Sequence, residues 1–238
     1  ASEPQTPIAL SIQGHEPLLP EARPYTRAIL AAGTLLGIPT GLVTNGTFLA
    51  EKNTVEWLAS FAPTKMAVSL DAATAGPHDH LRGITGAFDA TVAGIKNAVR
   101  VLGSQTQIAV ASVLTPKYGS EPLEDMPYLL RALGVTEWVV NPLHRVGRDG
   151  SLGGPVGSRK AFYENLARLQ DAADAAGITL IVDDELDYLQ HDLAVMEQPE
   201  LDRFHVRTIP ANIELLRLGP SGEVSAGRGI LQAVTDET

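Results

Sequence analysis

Cysteine is missing from all 238 residues. That absence excludes disulfides, a thiol nucleophile and any thiolate-held metal assembled from these residues alone. No apolar run approaches the ~20 residues that a membrane-spanning helix needs, and the N-terminus lacks the basic-then-apolar order of a secretory signal. Basic charge is in short supply: 18 Lys and Arg stand against 28 Asp and Glu, a formal net charge of −10. Phosphate neutralisation needs a basic face, so no nucleic-acid partner is expected. A G-x-G-x-x-G after the first strand is lacking too, which disfavours a dinucleotide-binding sheet. Neither a repeat of fixed period nor an interdomain linker is visible. What is there is an ordinary globular composition, 44% hydrophobic and 19% charged, in a chain long enough to bury a real core. The expectation is a soluble protein without a membrane partner that acts on a small molecule or peptide.

The chain is organised around residues 8–19, IALSIQGHEPLL. A short apolar run breaks at Gly14 and is followed at once by His15, Glu16 and Pro17. This reads as a buried strand that stops abruptly with a carboxylate at its C-terminal end. Apolar spacing then predicts helices over 20–36, 51–61, 84–102, 123–133 and 158–176, most of them stopped by glycine. Between them, apolar runs predict strands at 40–43, 66–70, 108–114, 137–140 and 178–182. Residues 72–86 read as an irregular loop, 146–158 as a glycine-rich loop and 185–198 as a further helix. Two short strands at 213–218 and 223–225 flank the hairpin-type turn Gly219-Pro220-Ser221-Gly222. Strands alternate with helices, and no alternating half-exposed strand is read in the first 182 residues. That rhythm predicts parallel βα units: an α/β fold with a partial (β/α) TIM-like barrel over 1–182 and a small C-terminal extension over 183–238.

In such a barrel every strand C-terminus opens on one face. The predicted ends carry Gly14-His15-Glu16, Thr44-Asn45-Gly46, Ser69-Leu70-Asp71, Thr115, Pro142-Leu143-His144 and Asp183-Asp184. In that order, GHEPLL, LVTNGT and VSLDA…HDHLRGITGAF resemble the radical S-adenosylmethionine (SAM) superfamily, whose matching stretches read GGEPLL, TNG and VSLDG…HD–RG–GAF. The resemblance covers residues 8–144. It implies SAM lying across the strand ends, with Gly14, His15 and Glu16 meeting the methionyl ammonium and Thr44 and Asn45 beside them. Ser69 and Asp71 would face the ribose or carboxylate, and Arg82 would pair with the methionyl carboxylate. It further implies an oxidoreductase-type radical enzyme with a metal-binding [4Fe–4S] centre and an electron donor such as flavodoxin or ferredoxin. Its 5′-deoxyadenosyl radical would abstract hydrogen from a small-molecule or peptide substrate near His144, Arg145 and Asp183. His15 stands where the family has a second glycine, a tolerable change if the backbone does the binding.

The family's C-x-x-x-C-x-x-C segment has no counterpart here, and the chain starts at what corresponds to the second strand. A [4Fe–4S] cluster is therefore expected only if cysteines come from outside this chain. Two explanations stay open: a first strand with its cysteines upstream of Ala1, or a cluster-free relative that binds a nucleoside ligand or partner. LRLGPSGEVS resembles the hairpin that opens the cysteine-rich extension of peptide-modifying members, but Ala226-Gly227-Arg228 follow instead of cysteines. Auxiliary clusters are not expected. Rival readings attach to several polar residues. His78 and His80, as alternate residues of an extended segment, could join His144 or Asp183 in the metal site of a barrel hydrolase. Arg82 could make an ordinary loop salt bridge, and Asp183-Asp184-Glu185 could be a helix N-terminal charge set. His191 and His205 read as surface or core residues.

Overall fold

Strand after strand is added to the same side of the growing sheet, in chain order. The computed structural model describes residues 9–115, 123–142 and 159–184, together with the backbone of strands at 205–208, 215–218 and 224–227. Seven strands, β1 (Leu10–Ile12), β2 (Thr40–Thr44), β3 (Lys65–Ser69), β4 (Gln107–Leu114), β5 (Glu137–Pro142), β6 (Thr179–Asp184) and β7 (His205–Thr208), form one sheet in sequential order. Every neighbouring pair is parallel. A doubly wound sheet reverses its direction of growth at a switch point. This one does not, and the architecture is the expected partial TIM-like barrel. β8 (Leu215–Leu218) and β9 (Val224–Gly227) form a separate antiparallel pair, the predicted hairpin.

Among the described residues six α-helices link the strands: α1 (Arg23–Leu36), α2 (Lys52–Ala59), α3 (Ala75–Arg82), α4 (Ala87–Leu102), α5 (Met126–Leu133) and α6 (Arg159–Ala176). They cover one face of the sheet. Leu42, Met66, Val68, Val110, Trp138, Val140 and Leu180 point to that face and pack into one core with Leu30, Leu58, Ile95, Leu102, Leu130 and Leu169 from the helices. Each such buried side chain contributes roughly 1.5–3 kcal/mol. Trp138 keeps its polar atom satisfied by donating from Nε1 to Ser112 Oγ (2.9 Å).

The other face is the barrel interior. Residues of opposite parity occupy it: Val43, Ala67, Ala109, Ala111 and Val139, side by side by register. They are small or merely aliphatic where the outer face carries Leu, Met and Trp. At the N-terminal end of the strands, Glu137 accepts from both Lys65 Nζ and Gln107 Nε2, a polar tie across β3, β4 and β5.

Three sequence readings need correction. The strands do alternate, with buried and half-exposed residues taking turns along β2 and β3, because helices cover only one face. Residues 75–82 are helical rather than loop. The seventh strand, HVRT, has no counterpart among the predicted strands. It is too short and polar to announce itself, and pairing with β6 defines it. The glycine-rich loop at 146–158 and the helix read at 185–198 lie outside the described residues.

Candidate functional site at the strand C-termini

Strand ends β1 to β4 are stitched together by the side chains that the sequence singles out. Glu16, just past β1, is buried and turns inward. Its Oε1 accepts from Leu18 N (3.0 Å) and Thr44 Oγ1 (2.6 Å), and its Oε2 accepts from Asn45 N (2.7 Å). A carboxylate offers about four lone-pair directions, so one remains on Oε2. The segment feeding Glu16 is fixed as well. Arg23 donates from Nε to Leu18 O (2.9 Å), and Thr26 Oγ1 donates to Pro17 O (2.8 Å). Gly14 and His15 both have positive φ, 84° and 41°. The position where the family pattern has its second glycine thus does need the left-handed region. Histidine tolerates it better than most residues do.

At the end of β2, Thr44 Oγ1 also accepts from Gly46 N (3.1 Å). Asn45 turns its side chain back, with Oδ1 accepting from Thr47 N (2.9 Å) and Thr47 Oγ1 (2.8 Å). Its carbonyl accepts from Thr91 Oγ1 on α4 (2.9 Å). Gly46 has φ 81°, and a Cβ there would lie 2.5 Å from Val68 Cγ1. Gly94 on α4 lies against it so closely that a Cβ would come within 2.2 Å of the Gly46 carbonyl oxygen. Thr44-Asn45-Gly46 is thus a turn onto which α4 packs with no room to spare.

At the end of β3 the buried carboxylate of Asp71 faces two ways. Oδ1 accepts from Val113 N on β4 (3.1 Å), and Oδ2 pairs with Arg82 Nη2 at 2.7 Å. Asp71 N donates to His78 Nδ1 (3.1 Å). The neutral ring must then carry its proton on Nε2. His78 is buried and its pKa is lowered, chiefly because burial penalises the imidazolium; Arg82 adds to the effect, while Asp71 and Asp79 oppose it. Arg82 Nε is buried and has no hydrogen-bond partner among the described residues. Ser69, on the interior face of β3, pairs in register with Ala111.

α3 carries this arrangement. Pro77 sits in its first turn, where the backbone N–H groups have no intrahelical partner anyway, and Gly83 closes it in the left-handed conformation. Helical spacing turns His78 and His80 about 200° apart. His78 is buried and His80 exposed, so they are not the paired ligands of an extended segment. Among the described residues no group of three His, Cys, Asp or Glu is placed to hold a metal ion. Asp79, between them, caps the next helix: Oδ2 accepts from Gly86 N (2.6 Å) and Oδ1 from Phe88 N (2.8 Å). These bonds favour its charged form and lower its pKa.

The structure therefore brings together Glu16 with Thr44 and Asn45, and Asp71 with Arg82. Asp183 lies at the end of β6, in register with Arg207 of β7. His144 and Arg145 fall outside the described residues. Two residues with site-building roles were missed: His78, taken only as a metal candidate, and Val113, whose backbone holds Asp71. Gly83 as a helix stop was the signal available for the first; nothing in the sequence announces the second. A surface groove of about 490 Å³ lined by Arg131, Thr136 and Asp174 sits at the opposite ends of the strands, away from this cluster.

Comparison with known proteins follows the same outline. No family model matches the chain. The AdoMet-dependent heme synthase of Methanosarcina barkeri is 41% identical over 87 residues, 37% of this chain and 24% of that protein. The enzyme of the same name from Oleidesulfovibrio alaskensis is 27% identical over 138 residues, 58% of this chain and 34% of that one. The chain's matches thus span about a quarter to a third of the length of these curated relatives. Among solved structures, Streptococcus suis SuiB bound to S-adenosylmethionine superposes with a TM-score of 0.61 at 19% identity, covering 84% of this chain and 47% of SuiB. SuiB bound to its precursor peptide SuiA gives the same TM-score.

Proposed function

The chain resembles the radical SAM superfamily in motif order, in its sequence relatives and in its fold, and from that premise we propose that the ends of β1 to β4 bind SAM. The observation that carries the proposal is the presence of two opposite electrostatic ends on one rim, Glu16 beyond β1 and Arg82 on α3 beyond β3, with the end of β2 between them. At one end, Glu16 is pinned by three donors with a lone pair of Oε2 to spare. At the other, Arg82 is pinned by Asp71 with Nε unmatched. An amino acid presents an ammonium and a carboxylate, and these are their complements.

In this reading the free lone pair of Glu16 and the backbone carbonyls at Gly14 and His15 receive the ammonium. Arg82 Nε receives the carboxylate, with Asp71 acting as its support rather than as a direct ligand. Ser69 offers a hydroxyl to the ribose, and Asn45 borders the same edge. The small side chains of the barrel interior leave room for a substrate, either a peptide or a small molecule, approached by Asp183 at the end of β6 and by His144 and Arg145. An iron–sulfur cluster would supply the electron that cleaves SAM. The 238 residues contain no thiolate to hold one, and no step through a cluster is assigned to them. The second reading is a module that binds a nucleoside ligand without redox chemistry.

Calorimetric titration of the chain with SAM tests the shared part of both readings. Saturable one-to-one binding is expected, and Arg82→Ala should weaken it by about 10- to 100-fold, the loss of a hydrogen bond to a charged group. An unchanged affinity removes Arg82 from the site. The coding sequence upstream of Ala1 separates the two readings: a C-x-x-x-C-x-x-C there supports the radical enzyme and its absence the cluster-free module. Iron retained by these 238 residues after anaerobic incubation with iron and sulfide would contradict both, since they hold no cysteine.

A further inference from the structure

His78 is given no contact with the ligand in that reading, yet the Arg82 arm depends on it. Its ring packs edge-on against Phe88 of α4, with centroids 6.1 Å apart, and accepts the Asp71 N–H from the end of β3. Three elements therefore meet at one imidazole. We infer that His78 is a positioning residue: by accepting the Asp71 N–H it holds the Asp71 carboxylate between Val113 and Arg82, so that ligand affinity at the strand ends depends on a neutral His78. This rests on the SAM-binding reading above, whose residues it supports from behind.

The geometry gives the dependence a sign. A protonated imidazole has a hydrogen on Nδ1 and no lone pair left for the Asp71 N–H, so two donors would face each other. The charged groups around the ring are Asp71 from the strand end, and Asp79 and Arg82 from α3 itself. Burial dominates among these influences and keeps the ring neutral below the usual histidine value of about 6.5. A histidine with a lowered pKa in the folded protein contributes stability that is fully present above the unfolded value. That contribution falls away as the pH drops below ~6.5 toward the folded value. Arg82 stays charged throughout, so it adds no titration of its own.

The test compares His78→Asn with His78→Leu. The Asn amide oxygen can stand in for Nδ1 as acceptor and does not titrate; Leu fills the space and accepts nothing. SAM affinity is measured by calorimetry from pH 7.5 to 5.5, and hydrogen exchange at the Asp71 amide gives a readout that needs no ligand. For the unmodified chain, affinity should fall severalfold between pH 7.5 and 5.5. His78→Asn should bind within about threefold of it at pH 7.5 and lack that fall. His78→Leu should bind about tenfold more weakly at pH 7.5 and lose protection at the Asp71 amide. If folded His78→Leu binds SAM as tightly as the unmodified chain, or if His78→Asn keeps the full pH dependence, the positioning role is wrong. If the unmodified chain does not bind SAM, the SAM-binding reading fails. The exchange comparison then decides the role of His78 alone: equal protection of the Asp71 amide in both variants overturns it.

Discussion

Gly46 rejects a side chain on two counts, its φ of 81° and the 2.5 Å approach to Val68. Gly94 rejects one for want of space alone, with the Gly46 carbonyl oxygen 2.2 Å and Leu49 Cβ 2.9 Å from where its Cβ would be. Gly76, in the first turn of α3, has nothing within 4 Å. Three alanine substitutions should therefore separate in urea denaturation. Gly46→Ala is expected to lose about 2 kcal/mol or more and Gly94→Ala about 1–3 kcal/mol, whereas Gly76→Ala should be neutral or gain up to ~1 kcal/mol. A second residue-scale prediction concerns Thr44→Val, which removes both the donor to Glu16 and the acceptor for Gly46 N. It should cost roughly 1–3 kcal/mol, and a value near zero would mean that Glu16 is held by Asn45 and Leu18 alone. The sequence displays these residues but not their partners. Glu16 finds Thr44 across 28 positions of chain, and that meeting depends on the parallel register of β1 on β2, which no local pattern encodes. Arg82 is similar. It was legible as a cation near the strand ends, while its ion pair with Asp71 required knowing that 75–82 is helical.

Among the elements, α3 is where propensity misleads. Gly76 and Pro77 argue against a helix in isolation, yet both fall in its first turn, where they do least harm. The same eight residues anchor β3 through His78 and cap α4 through Asp79, so local preference yields to two tertiary attachments. The Asp79 cap makes a prediction at this scale. Its carboxylate has a lowered pKa, so its contribution is present above the usual aspartate value of about 3.9 and is lost as the pH falls below it. Asp79→Asn should lower the melting temperature at pH 7, and the gap should narrow as the pH falls below that value. A gap that persists in acid would assign the effect to shape rather than charge. Elsewhere the elements were legible. α1, α2, α4, α5 and α6 overlap the predicted helices, and β1 to β6 the predicted strands. Apolar spacing and glycine stops act within one element and need no knowledge of its neighbours.

For the whole molecule, sequential strand order fixes a sheet that curves one way, with helices outside and strand ends on a common rim. β7 extends it beyond residue 182, the boundary proposed for the barrel, by pairing with β6 from Ile181–His205 to Asp184–Thr208. Shortened chains ending at 182 and at 212 test where the barrel stops. The shorter should unfold at lower urea and elute partly as aggregate, because it leaves β6 as a bare edge. Equal midpoints would set the boundary at 182. No helix among the described residues is long and apolar enough to cross a membrane. The interior row of Val43, Ala67 and Ala109 has a last consequence. Two of its three members end at a methyl group, so for a ligand bound over that face, as proposed above, the backbone itself would form the back wall. Leucine at Ala67 or Ala109 would move that wall forward by a known amount, turning the protein into a calliper for whatever molecule it admits.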